Sequence, residues 1–510
     1  MSRIENTSKN FLFTVISTIL TSVLGFITRT VFIHEIGITY LGANSLFTNI
    51  LSMLSLTELG IGTAIAFSLY KPLADDDIET IKSLMSFYKK AYKVIAVVIL
   101  ILGLMLVPFL DILIKDPGDM KHINFIYLVF LYNTVVSYLF TYKVTLLSAD
   151  QKSYIMTNIN MIISVVTAII QLIILISFKN YFIYLIIGAL INTVQWFFVN
   201  KYIFNRYPYL KDKNIKPLSN NNKKQIQTNV KAMMFHKVGE LCINQTDNIV
   251  ISSFISISAV GLYNNYFMII NIINKFALSF FNAATASLGN LIATENCETQ
   301  YTVFKRYNFL GFWVFGWSSI CLIVLLNPFV EIWLGSDYLI DNLTIILVII
   351  NFYLVGMRTT IGNVKMAAGL YSQDQWAPIV QSAINLAVSV YGAIKLGLPG
   401  VFLGTVVSSV FVPCWYRPLV VYKYTFKRSC KSYFITYFKY ILVILFCFTS
   451  VVMLNYIILN ILNISIVFEF IIKCIVCVIV PNLLIISIFY KTDEFKYLLN
   501  LLKRMTVRRM

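Results

Sequence analysis

Long apolar runs recur along the whole chain, and this recurrence limits the fold more than any other feature of the sequence. An α-helix needs about 20 residues to cross the hydrocarbon of a bilayer, and each run is long enough to do so. We count fourteen candidate spans in the sequence. Their approximate centres are Ser22, Ser55, Ile101, Val135, Thr167 and Leu190, then two spans between residues 229 and 290, and then Gly316, Val355, Leu386, Val412, Val451 and Val478.

Composition agrees with a chain that lies largely inside a membrane. Of its 510 residues, 58% are hydrophobic and 13% are charged. A soluble domain carries about 25% charged residues. The sequence therefore predicts an all-α polytopic membrane protein.

Lys and Arg are distributed unequally between the two sides of the membrane, and this distribution predicts the topology. The formal net charge is +18, which on a soluble protein would suggest nucleic-acid binding. Here Lys and Arg lie mostly between apolar runs, where they orient the chain and meet anionic lipid headgroups. They concentrate on the side that carries both termini and the connector at 205–228. We therefore predict that both termini are cytoplasmic, and that membrane lipids, and no nucleic acid, are partners.

The two spans between Asn229 and Asn290 carry polar residues that a lipid-facing helix should not have. In the first span they are His236, Lys237, Glu240, Asn244, Asp247 and Asn248, and in the second they are Asn264, Asn271, Lys275 and Asn282. Spacings of three, four and seven residues place each set on one helical face. A charge in hydrocarbon costs a few kcal/mol or more, so we expect these faces to line a protein interior or a water-filled path.

Charged residues also lie inside other apolar runs. They are Arg29 in span one, Glu58 in span two, and Arg358 and Lys365 in span ten, with Lys365 expected at the cytoplasmic rim. Arg29 lies near the outer surface, where snorkelling explains it equally well. Two interpretations stay open. The charges form internal ion pairs, such as Glu240 with Lys275, or they line a hydrated cavity with cations for an anionic substrate and carboxylates for a coupling ion.

A weak internal repeat relates the two halves of the chain. Phe32–Phe47 (FIHEIGITYLGANSLF) resembles Phe254–Phe267 (FISISAVGLYNNYF), so that Gly42 falls on Gly261. Six spans separate the copies, and an even number preserves topology, which predicts a parallel repeat about an axis along the membrane normal. Any two hairpins on the outer side share some of these features, so a chance likeness stays an alternative.

Motifs for catalysis and for cofactors are absent from the sequence. There is no GxxxxGK[ST] phosphate loop, no HExxH and no Gly-x-Ser-x-Gly. Cys474 and Cys477 have a CxxC spacing, but no further Cys or His lies nearby to complete a metal site. The longest connector, of about 25 residues, is shorter than the about 50 that a folded domain needs. We therefore expect no enzyme activity, no cofactor and no metal site.

Two stretches of the chain carry a pattern known from a family of membrane proteins. They are RTVFIHEIGITYLGANSLFTNILSMLSLTELGIGTAIAFSLYKPLADDD at Arg29–Asp77 and TDNIVISSFISISAVGLYNNY at Thr246–Tyr266. Both resemble bacterial polysaccharide flippases of the multidrug/oligosaccharidyl-lipid/polysaccharide exporter superfamily. The resemblance implies two six-helix lobes in a pseudo-twofold repeat around a central cavity. The corresponding domains are an N-lobe at 1–204, a cytoplasmic connector at 205–228, a C-lobe at 229–425, and two extra helices with a basic cytoplasmic tail at 426–510.

The resemblance also implies a function. Members of the family move undecaprenyl-pyrophosphate-linked oligosaccharide repeat units from the inner to the outer leaflet of the bacterial plasma membrane by alternating access. The products are capsule, exopolysaccharide or other cell-surface polysaccharide, and the implied partners are the lipid-linked substrate and the polymerase and glycosyltransferases of the same pathway. Helical facing and depth predict substrate contacts at Arg29, Asn264, Asn271, Lys275 and Arg358, and ion coupling or charge pairing at Glu58, Glu240 and Asp247.

Two other functions stay open at the level of the sequence. An ion-coupled multidrug antiporter of the same superfamily would rely on the carboxylates Glu58, Glu240 and Asp247. An integral-membrane polysaccharide polymerase or acyltransferase would usually expose a large outer loop or a His/Arg cluster, and the sequence contains neither.

Overall fold

The computed structural model describes residues 3–55, 58, 61–118, 120–212, 215–218, 245–370, 372–461 and 465–507. Across these ranges all the regular structure is helical, which confirms the predicted all-α fold class. The first half contains α1 (Arg3–Glu35), α2 (Ile38–Leu54), α3 (Ile61–Ala74), α4 (Ile78–Leu106), α5 (Leu110–Leu113), α6 (Ile123–Ala149), α7 (Ser153–Phe178), α8 (Tyr181–Arg206) and α9 (245–254). The second half contains α10 (Ile257–Ala283), α11 (Thr285–Thr294), α12 (Cys297–Leu334), α13 (Asn342–Ala367), α14 (Ala377–Leu396), α15 (Leu398–Phe411), α16 (Pro413–Val421), α17 (Lys431–Ile461), α18 (Ile466–Phe489) and α19 (Asp493–Val507).

Twelve helical stretches within the described ranges are long and apolar enough to cross a membrane. They coincide with predicted spans one, three to six, and eight to fourteen. Predicted span two is instead a pair of helices, α2 of 17 residues and α3 of 14 residues, each shorter than the about 20 residues of a full crossing. Predicted span seven lies mainly in 219–244, outside the described residues. The chain is a multi-pass membrane protein, and the count of fourteen stays a prediction.

The chain forms two compact units, Met1–Gly261 and Leu262–Met510. In the first, α4 packs against α3 and α6, while α7 contacts both α1 and α8. Tyr88, Tyr92 and Tyr127 are fully buried there, and the Tyr127 hydroxyl donates to the carbonyl of Gly103 over 3.0 Å. Leaving a buried hydroxyl unpaired would cost about 1–3 kcal/mol, so such bonds favour one register between α4 and α6.

The second unit is built on α12, which has 38 residues and contacts α13, α17 and α18. Aromatic side chains fill these contacts, and the rings of Phe312 and Tyr440 stack with centroids 4.1 Å apart. A separate pair, α14 and α15, is joined at Gly397, whose φ of +69° suits glycine. Gly392 and Gly400 let the backbones of this pair touch, because a Cβ atom on Gly400 would lie 2.0 Å from the Gly392 carbonyl oxygen.

The two glycines that the internal repeat aligns meet in space within the first unit. A Cβ atom on Gly42 would lie 2.0 Å from the carbonyl oxygen of Ile257. A Cβ atom on Gly261 would lie 2.4 Å from the carbonyl oxygen of Ile38. Each segment therefore presents the same positions to the other, as in an isologous interface between identical subunits. Only glycine permits so close an approach of the two backbones.

Hydrogen bonds surround this glycine contact. The hydroxyls of Thr39 and Ser258, which also align in the repeat, are 3.1 Å apart. The loop after α5 is fastened nearby, where the amide of Lys115 donates to the Ser252 carbonyl over 3.1 Å and the Ser252 hydroxyl donates to the Leu113 carbonyl over 2.7 Å. The first unit thus includes α9 and the first turn of α10 in its own packing.

Candidate functional site

Three predicted substrate residues lie along α10. Asn264, Asn271 and Lys275 are separated by seven and four residues, which places them on one face of the helix. Asn264 is buried, Asn271 is partly buried and Lys275 is exposed. Along this face the side chains therefore change from the buried amide of Asn264 to the exposed ammonium of Lys275. The role of this face in substrate binding stays a prediction.

Arg358, the fourth predicted substrate residue of the second unit, is enclosed by protein. Its side chain on α13 is 7% exposed, and its Nε donates to the Leu354 carbonyl over 3.1 Å. Its electrostatic neighbours include Cys414 and Arg417 of α16 and Tyr437 of α17. None of these neighbours is Asn264, Asn271 or Lys275, so these contacts do not bring Arg358 together with the α10 face.

Lys365, two turns further along α13, is part of a buried ion pair. Its side chain is 8% exposed, and its Nζ donates to both carboxylate oxygens of Asp374, which is 4% exposed. A buried charge needs a partner of opposite sign, and Asp374 supplies it from the short 3-10 helix before α14. Lys365 is thereby neutralised inside the second unit.

In the first unit, Arg29 and Glu58 belong to separate clusters. Arg29 is partly buried on α1, and the phenol of Tyr184 on α8 is its electrostatic neighbour. The Glu58 carboxylate accepts hydrogen bonds from the hydroxyls of Tyr92 and Tyr138. Gly62 keeps room for this carboxylate, since a Cβ atom there would lie 2.8 Å from Glu58 Oε1.

A cavity of about 510 Å³ adjoins the tyrosines around Glu58. It is lined by Thr48, Leu51, Ser52, Ser55, Phe130, Asn133, Thr134, Ser137, Tyr138 and Asn192. The amide of Asn192 donates to the Asn133 side chain over 3.2 Å, so α6 and α8 contribute a linked pair of polar groups. Hydroxyl and amide oxygens beside a carboxylate can bind a cation or a hydrogen-bonding ligand.

Glu240 and Asp247 are the two other predicted coupling residues. Glu240 lies outside the described residues, so the predicted pairing of Glu240 with Lys275 stays a prediction. Asp247 is partly buried on α9, in the same unit as Glu58.

One buried cation was missed by the sequence analysis. Lys143 on α6 is 6% exposed, donates to the Asn200 side chain of α8, and places Nζ 4.1 Å from the ring centroid of Phe204. Among the described residues no carboxylate forms an ion pair with it, and its electrostatic neighbour Lys89 is another cation. In the sequence, Lys143 is a lysine less than two turns before the end of α6. A lysine at such a position is explained equally well by snorkelling of its ammonium to the membrane surface, so it did not indicate a buried cation.

Apolar helices long enough to cross a membrane, with charged and amide groups enclosed between them, define a multi-pass membrane protein. The chain belongs to the polysaccharide biosynthesis protein family, whose model matches residues 7–286. No curated protein matches it. The predicted place in the multidrug/oligosaccharidyl-lipid/polysaccharide exporter superfamily is confirmed by this family model together with the fold.

Solved structures of transporters share the fold. The chain is similar to the lipid II flippase MurJ in an inward closed conformation, with 17% identity and a TM-score of 0.65 over 94% of this chain and 99% of that one. It is also similar to a mutant of the Vibrio cholerae MATE transporter VcmN, with 15% identity and a TM-score of 0.58 over 84% and 99% of the two chains. The MATE multidrug transporter DinF-BH matches with 14% identity and a TM-score of 0.58 over 83% and 97%. At these identities the likeness shows the fold alone.

Proposed function

We propose that the protein moves undecaprenyl-pyrophosphate-linked oligosaccharide repeat units from the inner to the outer leaflet of a bacterial plasma membrane by alternating access. The product is capsule, exopolysaccharide or another cell-surface polysaccharide. The family model and the fold shared with a lipid II flippase support a lipid-linked substrate. The polymerase and glycosyltransferases of the same pathway are the proposed partners.

The observation that carries the proposal is the buried ammonium of Lys143. Among the described residues, it contacts an amide oxygen and aromatic rings, and no carboxylate forms an ion pair with it. A pyrophosphate headgroup cannot enter hydrocarbon without groups that replace its water and counter-ions. A cation kept inside the membrane without a neutralising carboxylate is suited to that task, because the anionic ligand completes the pair.

The other assignments follow the same logic and are part of the proposal. Lys275 and Arg358 bind phosphate from the cytoplasmic side, and Arg29 does so towards the exit. Asn264 and Asn271 bond to sugar hydroxyls, for which amides offer both donors and acceptors. The carboxylates Glu58, Glu240 and Asp247 serve ion coupling or hold the cations in place.

The membrane topology belongs to the proposal as well. Both termini and the connector at 205–228 face the cytoplasm, as the distribution of Lys and Arg favours. The lobes are those of the sequence analysis, 1–204 and 229–425, with the helices of 426–510 beside them. Their proposed arrangement encloses the transport path.

The test is export by a strain whose own copy of the gene is replaced by variants. Lys275→Ala combined with Arg358→Ala should abolish surface polysaccharide and cause lipid-linked repeat units to accumulate inside. The matched control is Lys395→Ala with Lys439→Ala, because both lysines are exposed. Membrane abundance of each variant is measured by immunoblot. Full export by the first pair would overturn the assignment of Lys275 and Arg358.

A second candidate function is an ion-coupled multidrug antiporter. The Glu58 carboxylate, its phenol donors and the adjoining cavity of about 510 Å³ favour it, since a carboxylate and aromatic rings suit a lipophilic cation. Uptake of a cationic dye into vesicles that requires Glu58, with no movement of a lipid-linked oligosaccharide, would select this function over the flippase.

A further inference from the structure

A cluster of hydrogen-bond donors lies buried between α13, α16 and α17 of the second unit. The guanidinium of Arg358 is at its centre, and its electrostatic neighbours include Cys414 and Arg417 of α16 and Tyr437 of α17. Tyr353, also on α13, places its ring centroid 6.2 Å from that of Tyr437. Guanidinium, phenol and thiol groups can all donate hydrogen bonds, and none of the five residues carries a carboxylate. The cluster therefore has many donors and few acceptors.

Two phenol hydroxyls of this cluster are buried without a hydrogen-bond partner. They belong to Tyr353, which is 9% exposed, and to Tyr437. A hydroxyl in this state is unfavourable, because it has lost its bonds to water and gained none within the protein. Buried polar groups are paired in the great majority of cases, so each exception needs an explanation. Two unpaired hydroxyls in one cluster indicate a missing acceptor.

The guanidinium of Arg358 also has donors that no described group accepts. Its Nε donates to the Leu354 carbonyl over 3.1 Å. Within the described ranges, its two terminal nitrogens have no hydrogen-bond partner and no carboxylate forms an ion pair with it. A guanidinium whose paired nitrogens are available matches two oxygens of one phosphate. The missing acceptor is therefore best supplied by an oxyanion.

The helix that carries Cys414 and Arg417 is interrupted beside the cluster. α15 ends at Phe411 and α16 begins at Pro413, which cannot donate the backbone bond that would continue α15. A five-residue π-helix, Tyr422–Phe426, follows α16. Interrupted helices and π-turns in membrane proteins often lie at functional sites, since the backbone groups that they free need a polar environment. The break also gives α16 a hinge by which it can open a cluster that is enclosed in this structure.

We infer that Tyr353, Tyr437 and Arg358 form one oxyanion site, which binds a phosphate of the transported headgroup. The inference rests on the proposed function for the identity of the ligand, and it adds the two phenols to the site. The depth of the site favours this ligand. Lys365 is expected at the cytoplasmic rim, and Arg358 lies seven residues away, about 10 Å along α13. Phospholipid phosphates stay at the membrane surface, whereas a headgroup that crosses the membrane must pass this level.

Binding of farnesyl pyrophosphate to the purified full-length protein tests the inference. Isothermal titration calorimetry in detergent compares this probe with farnesol, which lacks the phosphates, and with phosphatidylglycerol. Tyr437→Phe removes the hydroxyl and keeps the ring. It should weaken farnesyl pyrophosphate binding about tenfold, because a hydrogen bond to a charged group is worth about that factor. Tyr456→Phe is the matched control, since it makes the same change at an exposed position of α17.

Thermal unfolding of the ligand-free protein separates a binding role from a structural one. Tyr437→Phe should not lower the melting temperature, because the hydroxyl that it removes has no partner among the described residues. A lowered melting temperature, or farnesyl pyrophosphate binding equal to that of Tyr456→Phe, would overturn the inference. A loss of binding confined to phosphatidylglycerol would also overturn it, since the phosphate would then come from the surrounding lipid. Binding is read without transport, so this result and the export test of the proposed function can fail independently.

Discussion

Lys143 in the first unit and Lys365 in the second are both lysines buried among membrane helices. They differ in the charge of the groups that they contact. Lys365 donates to both carboxylate oxygens of Asp374 and is neutralised. Lys143 donates to the amide of Asn200 and faces the ring of Phe204, and both of these partners are neutral. Burial of a lysine alone therefore does not distinguish a structural cation from one available to a ligand. The charge of its partner does.

The contrast has an energetic consequence. Removing water from an ammonium costs several kcal/mol, and a nearby carboxylate repays much of this cost. An amide dipole and aromatic faces repay less, at about 0.5–2 kcal/mol for each cation–π contact. Lys143 is thus retained at a cost to stability, and under the proposed function this cost fits a residue held ready for the anionic substrate.

The largest expected effect follows from breaking the ion pair of the second unit. Asp374→Ala leaves Lys365 as a buried charge without its carboxylate, which should lower the free energy of unfolding by about 3–5 kcal/mol. Thermal unfolding of the purified protein in detergent measures the change. The double variant Lys365→Met with Asp374→Leu should recover most of the loss, because no charge remains to be solvated. If the double variant is as unstable as the single one, the pair is not what stabilises this site.

A smaller effect on stability, with a large effect on transport, is expected from Lys143→Met. Stability should stay within about 1 kcal/mol, since the substitution removes a desolvated charge and keeps an apolar stem of similar length. Flipping in reconstituted vesicles should fall about ten- to a hundredfold, as one charge-assisted bond to the substrate is worth about 1.5–3 kcal/mol. Lys143→Arg, which keeps the charge, is the matched control and should retain more activity. Normal flipping with a strongly lowered melting temperature would instead make Lys143 a structural residue like Lys365.

The smallest effect is expected from an exposed lysine outside the membrane helices. Glu79 accepts a hydrogen bond from Lys216 over 2.6 Å, and this bond and the opposite charge raise the pKa of Lys216 above its usual value. A raised pKa in the folded state stabilises the protein below the unfolded pKa, and the stabilisation is lost as the pH rises through the folded pKa. Glu79→Gln should therefore lower the melting temperature slightly at about pH 8, and this difference should vanish at strongly alkaline pH. A difference between Glu79→Gln and the unchanged protein that grows with pH would contradict this sign.

Apolar length and charge placement predict most of the fold from the sequence. Twelve of the predicted spans coincide with helices because a crossing needs a long continuous apolar run, which sequence shows directly. The division of span two into α2 and α3 was not predicted, since the LTELGIG stretch around Glu58 is still apolar enough to be read as membrane. Helix ends depend on local backbone geometry more than on hydropathy.

The candidate sites were less predictable, for a different physical reason. The placement of Asn264, Asn271 and Lys275 on one helical face follows from periodicity, and their role in binding stays a prediction. The ion pair between Lys365 and Asp374 was not predicted. Asp374 lies in a short 3-10 helix beyond α13, and nothing in the spacing of the two residues indicates that they meet. Lys143 was missed because its partners on α8 lie more than fifty residues along the chain. Which charges meet is decided by packing between helices, and periodicity within one helix does not contain that information.

The contact between Gly42 and the first turn of α10 has a consequence for how the chain is assembled during synthesis. A nascent chain that has reached only the end of α8 lacks Ser252, Ile257 and Gly261, so the amide of Lys115 has no acceptor from α9 and the glycine surface of α2 is uncovered. Domains generally fold as units during synthesis, with the N-terminal one first. The N-terminal part of the chain therefore waits, incompletely packed, until the connector has been made and α9 has been inserted.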